Sequence, residues 1–320
     1  MNDLPLLTPH AEALFLRQKT EWQLLADNYR ALDDVLTRTL DVAGIPVRLQ
    51  CNPSRIRSTA SCVDVTAIAE RPCFLCDKNR PPEQLSIPIG ERYKLLVNPY
   101  PIFPIHFTIM SVSHVPQTLS VSDERSYTRF LDMLSIARAL PGYVVFYNGA
   151  RSGASAPDHM HFQAGKCGIM PMETNWDALM ATCGNTYRYS DEVRLSWLTH
   201  GVAIVAIDGN NPLKLYETFS HIMSYLPLSQ GEAEPSVNAL CTVRPEGWRC
   251  WVVARSAHRP WQYTATGEAS RLVSPGAVDM MGLIITPRRD DYDRLTADEI
   301  ADIYHQVASP SLLIKEICTR

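Results

Sequence analysis

The chain has no run of about 18 apolar residues, so nothing in it reads as a membrane-spanning helix. Its start, Met1-Asn2-Asp3-Leu4-Pro5, lacks the basic stretch and apolar core of a secretory leader. Positive charge is not in excess: 30 Lys and Arg stand against 34 Asp and Glu, a formal net charge of −4. That balance excludes a general basic surface for nucleic acid or anionic lipid, so a phosphate-bearing partner must be met by local donors. No Gly-Lys-Ser/Thr follows the small-residue loop described below, which excludes a Walker A loop there. The nine cysteines are odd in number and scattered, which argues for reduced thiols. A soluble, cytoplasmic protein with a small ligand is the expectation. With 320 residues, 46% of them hydrophobic and 20% charged, the chain can bury a large core as one long domain or two ordinary ones.

What is present centres on His159-Met160-His161-Phe162-Gln163. On an extended backbone, His159, His161 and Gln163 share one face, and Met160, Phe162 and Ala164 share the other. Two imidazoles and an amide on one face hold a metal, or attack an electrophile and stabilise the charge that develops. The plain alternative is a pair of satisfied core or surface histidines. Upstream, the apolar Tyr143-Val144-Val145-Phe146 leads into a small, polar loop from Tyr147 to Asp158. There Arg151, Ser152 and Ser155 join exposed backbone N–H groups as donors for a phosphate. One cysteine pair has a telling spacing, Cys73-Phe74-Leu75-Cys76, and there is no second CxxC. Flanking prolines (Pro72, Pro81, Pro82) suggest a tight turn rather than a thioredoxin-type helix start. A metal would need two more ligands, with His114 and His159 as candidates; otherwise the pair is two small buried hydrophobes.

Along the chain, residues 8–40 carry helical spacing, and 45–62 turn extended and basic, with Arg55 and Arg57 alternating onto one strand face. That face is either a phosphate clamp or ordinary solvated surface. Strand, turn and strand follow at 93–97, 98–101 and 106–110, then a helix at 123–140 and a strand at 143–147. Strand-like runs recur at 202–207, 236–244, 250–254 and 282–286, with helices near 211–225 and 296–307. The shared grammar suggests an internal duplication whose sheets join, with 166–200 as the connection.

These residues together resemble the nucleotidyltransferase and phosphorylase branch of the histidine-triad (HIT) superfamily. The resemblance covers roughly 45–310 and is strongest at the HxHxQ strand, where Asn148 lies 13 residues before His161 as the family pattern has it. It implies an α+β, HIT-like fold of two tandem half-domains, with mainly antiparallel sheets flanked by helices. The divisions would be an N-terminal helical segment (1–44), a catalytic half (45–165), a connection (166–200) and a second half (201–320) completing the substrate site. It further implies His161 as nucleophile, His159 as its neighbour and Gln163 in the third triad position. Cys73, Cys76, His114 and His159 match the order of a structural zinc set. Arg55 and Arg57 look like the arginines that meet nucleotide phosphates, and Asn98 to Pro104 like the segment lining the base and ribose pocket. Asp158 departs from the neutral residue common before the motif, and Arg255 to Pro260 match loosely.

The implied activity is nucleotidyl transfer through a nucleotidyl-histidine. It would act in phosphorolysis of a nucleoside-diphosphate sugar or dinucleoside polyphosphate, or in nucleotidylyl transfer to a sugar 1-phosphate. Partners are then a nucleotide or nucleotide sugar with phosphate or sugar phosphate, not nucleic acid or membrane, and a homodimer is one possible assembly. Gln163 donates to a phosphate oxygen without titrating, whereas a third histidine would also help protonate a poor leaving group; the amide therefore favours transfer over hydrolysis. Two other readings remain at this level. One is a non-catalytic, zinc-stabilised nucleotide-binding protein; the other is a metal-dependent phosphohydrolase in which His159, His161 and Asp158 hold a catalytic ion.

Overall fold

The computed structural model describes residues 4–60, 65–119, 124–188, 190–198 and 202–310, with 314, 316 and 317. Its strands are β1 (Leu36–Val42), β2 (Ile45–Cys51), β3 (Ser86–Ile89), β4 (Tyr93–Val97), β5 (His106–Ser111), β6 (Tyr143–Asn148), β7 (His161–Lys166), β8 (Gly184–Arg188), β9 (Val193–Leu198), β10 (Ile204–Gly209), β11 (Val237–Arg244), β12 (Gly247–Ala254) and β13 (Leu283–Thr286). Its helices are α1 (Thr8–Glu21), α2 (Gln23–Asp33), α3 (Ile56–Thr59), α4 (Val65–Glu70), α5 (Glu124–Ala139), α6 (Pro171–Cys183), α7 (Pro212–Tyr225), α8 (Ala277–Met280), α9 (Arg289–Arg294) and α10 (Ala297–Val307). Among the described residues no helix is long and apolar enough to cross a membrane.

Ten strands form one sheet in the order β3-β4-β5-β7-β6-β11-β12-β10-β9-β8, and every pairing in it is antiparallel. The order is symmetric about the β6·β11 seam. Each side runs three strands, a helix and two strands: β3-β4-β5-α5-β6-β7, then β8-β9-β10-α7-β11-β12. A smaller sheet, β1-β2-β13, lies apart from it.

Both faces of the large sheet are covered, so its central strands are apolar without alternation. In β6, Tyr143, Val145 and Tyr147 enter a core shared with α1, α2, α5 and α7, where Phe130 and Phe219 stack at 4.2 Å. Val144 and Phe146 point the other way, into a second core with Trp176 of α6, Ile284 of β13 and Tyr304 of α10.

The helical spacing read over 8–40 divides into three elements. The chain turns extended at Trp22 (φ −118°, ψ 103°), separating α1 from α2, and residues 36–42 are strand. Pairing decides the last of these: β1 lies antiparallel on β2 across a two-residue Ala43-Gly44 turn, both at positive φ (54° and 82°). Asp41 Oδ1 accepts the Gly44 N–H at 2.8 Å to hold it. The segment read as a connection supplies α6 and the outer strands β8 and β9 of the second half.

Candidate active site

In β7, Phe162 and Ala164 enter the first core, while His161 and Gln163 take the opposite face. A cavity of about 460 Å³ lies against that face. His161, Gln163, Asn148, Asn98 and Arg55 line it from the first half of the chain, and His258, Arg259, Ser274 and Asp279 from the second. A further wall is apolar, with Trp22, Phe74, Leu75 and Pro99.

His161 is 4% exposed. Its Nδ1–H donates to the carbonyl of His159 at 2.8 Å, which fixes the tautomer and leaves Nε2 unprotonated. Burial pushes the imidazole pKa down to about 4, so the ring is neutral at pH 7. Gln163 is oriented by a residue that sequence spacing did not single out. His106 of β5 accepts the Ile102 N–H on Nδ1 at 3.3 Å and donates from Nε2 to Gln163 Oε1 at 3.0 Å. Asn98 Nδ2 approaches the same oxygen at 3.5 Å while donating to Thr108 Oγ1 at 3.1 Å. With its oxygen so engaged, the Gln163 amide directs its N–H groups elsewhere, on a side chain that lines the cavity. A histidine inside the apolar run His106-Phe107-Thr108-Ile109-Met110 was the available signal for this role.

His159 departs from the expected shared face. The strand begins only at His161, so His159 sits in the preceding turn where side chains do not alternate. Its ring faces the cysteines: Nδ1 is 3.3 Å from Cys73 Sγ and 3.6 Å from Cys76 Sγ, and Nε2–H donates to Ser111 O at 2.8 Å. What it gives the His161 ring is its carbonyl. The two histidines thus cannot share one catalytic ion in this arrangement, and Asp158 is paired with Arg71 at 2.8 Å. This geometry counts against the metal-dependent hydrolase reading.

The ligand atoms of Cys73, Cys76, His114 and His159 all lie within 4.8 Å of one another, with Cys76 Sγ to His114 Nδ1 at 3.3 Å. Tetrahedral zinc with bonds of about 2.0–2.3 Å sets its donors roughly 3.3–3.8 Å apart. The cluster fits a metal of that kind. The Ser111 carbonyl supplies the outer hydrogen bond that presents His159 Nδ1 inward.

The phosphate-binding candidates separate. Arg55 lines the cavity, but from a short helical turn: β2 ends at Cys51, and Pro53, lacking an N–H and fixed in φ, opens the turn. Its Nη1 donates to Tyr100 O at 2.7 Å, and burial lowers its pKa only to about 10, leaving it cationic. Arg57 falls in α3, and its side chain lies outside the described residues. Asn148 and Ser155 line the cavity. Arg151 is exposed and pairs with Glu232 at 3.1 Å, and Ser152 is fully buried behind the loop, so neither reaches the cavity wall. Gly153 explains the loop's course: at φ +98°, with an added Cβ 2.6 Å from Gly276 Cα, only glycine lets the two backbones touch.

From the second half, burial raises Asp279 to about 6 although Gly276 and Ile285 N–H groups bond it. The fully engaged guanidinium of Arg255 donates to four carbonyls and Asn238 Oδ1. Asp279 stood in no recognisable sequence pattern, and Arg255 only in the loosely matching Arg255 to Pro260 segment.

A mixed α+β fold with a large antiparallel sheet flanked by helices, and a strand that presents His161 and Gln163 to a cavity, is a HIT-like fold. A family model described as a domain of unknown function (DUF4922) matches residues 14–166. Among solved structures, yeast Ap4A phosphorylase Apa2 in complex with Ap4A is 17% identical, with 90% of this chain and 97% of that chain covered at a TM-score of 0.57. The same enzyme in complex with AMP is 19% identical, with 90% and 96% covered at 0.57. A GalT-like protein from Arabidopsis thaliana is 15% identical, with 86% and 100% covered, at a TM-score of 0.36. No curated protein matches the sequence. At these identities the likeness is one of fold.

Proposed function

We propose that the protein is a nucleotidyltransferase of the phosphorylase type, working through a covalent nucleotidyl-His161. The observation that carries this is the anchored imidazole: Nδ1–H is held by the His159 carbonyl and Nε2 is the free nitrogen of a neutral ring on the cavity wall. Nε2 attacks a nucleotide α-phosphorus; the P–N bond forms as the P–O bond to the leaving phosphate breaks. An acceptor oxygen of orthophosphate or a sugar phosphate then attacks the same phosphorus, and the P–N bond returns its electrons to the ring. Gln163 donates N–H to a non-bridging oxygen in both steps, and Arg55 offsets phosphate charge. Phosphate leaving groups depart as stabilised anions, so an amide suffices where hydrolysis would call for a third histidine.

The apolar wall of Trp22, Phe74, Leu75 and Pro99 suits a flat base, and the His258, Arg259 and Ser274 side suits the anionic acceptor or leaving group. Labour is then divided between a catalytic half (45–165) and a second half (201–320) that completes the site. A dinucleoside polyphosphate or a nucleoside-diphosphate sugar is the substrate class. Ap4A and AMP are the first probes, because the fold neighbour Apa2 was solved with each. Cys73, Cys76, His114 and His159 would hold a structural zinc, which ties the CxxC turn to the turn before β7.

The test is release of nucleotide from Ap4A and from a panel of nucleoside-diphosphate sugars, each with and without orthophosphate. Phosphate-dependent release by the wild-type chain, absent in His161→Ala, is expected. Equal release by both proteins would contradict the proposal.

A further inference from the structure

The register of β6 on β7 pairs Phe146 with Gln163 and, continued by two residues, would set Asn148 opposite His161. The ladder stops short of that pair. One side chain takes the backbone groups that the pair would have shared. Gln117 Nε2 donates to the carbonyls of Asn148 at 2.8 Å and His161 at 3.0 Å, and Gln117 Oε1 accepts the His161 N–H at 2.8 Å. Gln117 is 2% exposed, so this exchange is made away from solvent. Directly bonded strands lie about 4.8 Å apart. A carboxamide standing between them adds its own width, and it does so at two residues that line the cavity.

Both edges of this gap are fixed from outside. The strap carrying Gln117 bonds to the turn before β7, with Met160 N–H to Val115 O at 2.7 Å and Gln117 N–H to Pro157 O at 3.1 Å. It reaches the second half through Leu119 N–H to Glu234 Oε2 at 2.6 Å. On the other edge, Asn148 Oδ1 accepts Asn238 Nδ2 at 2.9 Å and the Ala277 N–H at 2.7 Å. Only an amide of this length satisfies two carbonyls and one N–H together. A glutamate would set an acceptor against both carbonyls, and an alkyl chain would leave three buried groups unpaired.

We infer that Gln117 is a positioning residue whose carboxamide wedges β6 from β7 and so sets the spacing between the His161 ring and Asn148 across which the phosphoryl group is transferred. The inference rests on the nucleotidyl-transfer reading for its kinetic consequence and on the sheet alone for its structural one. With the wedge removed, the strands are free to close by two residues, and the nucleophile shifts by a fraction of a strand spacing. Misplacement on the scale of 1 Å costs roughly 100-fold in rate.

Gln117→Ala is compared with the wild-type chain in single-turnover adduct formation with Ap4A, in Ap4A titration, and by crystal structure. The adduct rate constant should fall roughly 100-fold, while the dissociation constant moves less than about threefold. Partial unfolding would instead lower the amplitude and leave the rate constant alone. The crystal structure should show Asn148 and His161 joined by ladder hydrogen bonds. A folded variant that reacts within about threefold of the wild type, or whose gap keeps its width, overturns the inference. Should Gln117→Ala not fold, Gln117→Asn, which keeps the amide but falls one methylene short, takes the same measurements. If the wild-type chain forms no adduct, the nucleotidyl-transfer reading fails, and the strand spacing in the two crystal structures decides the wedge.

Discussion

The two halves of the large sheet share one topology and differ in what lies against the same face of it. In the first half that face of β7 carries His161 and Gln163 and borders the cavity; in the second, β12 carries Trp251 and Val253, buried in the second core. Trp251 meets Trp176 of α6 edge to face at 6.1 Å. The same strand order therefore builds a site where polar side chains border a cavity and a core where aromatic ones fill the space. The fold alone does not tell the two apart.

Truncation on each side should separate them. His161→Ala should lower nucleotidyl transfer by about 10,000-fold or more, with a melting temperature near that of the wild type. Trp251→Ala on the matching face should do the reverse, costing about 3–5 kcal/mol in stability while the rate per folded molecule stays within about threefold. Urea unfolding alongside the transfer assay reads both. A Trp251 variant that folds well and loses activity would break the contrast.

Metal removal should act on the first half alone. Chelation should lower the melting temperature by roughly 10 °C and the initial rate far less, because the cysteine and histidine cluster holds the turn before β7 and not the reacting atoms. A rate that collapses at unchanged melting temperature would point to a catalytic ion instead.

Acid should weaken the site through its buried neutral rings. Burial pushes His106 and His258 from 6.5 down to about 3. Between those values the unfolded chain binds protons that the folded one does not, so this contribution is complete above pH 6.5 and is lost as pH falls toward 3. Melting curves from pH 7.5 to 4.5 should fall, and His106→Asn, which removes one of the rings, should fall less steeply. Equal slopes in both proteins would contradict the assignment.

The smallest effect expected is in Gln163→His, where hydrolysis should rise severalfold relative to transfer to phosphate. An unchanged ratio of the two products would remove the argument from the amide.

Elements with one strong local signal were legible in the sequence: α5, β4 to β7, α7 and α10 fall within a few residues of their periodic patterns. The 36–42 strand was not, because its leucine and valine spacing also fits a helix and only pairing with β2 decides between them. At the site, alternation along β7 puts His161 and Gln163 on one face, bordering the cavity. It misplaced the His159 ring, since the extended backbone starts two residues later. His106 and Gln117 act through contacts 57 and 44 residues away in sequence, a separation that no spacing rule reaches. Arg151 and Ser152 were read from a loop's composition, which does not report the direction its side chains take.

The most direct test of the covalent account is to quench the protein after mixing with Ap4A, measure its intact mass and map the modified peptide under neutral conditions. The account requires one added nucleoside monophosphate, acid-labile and carried by His161. A modification mapped to another residue, or retained in His161→Ala, would contradict it.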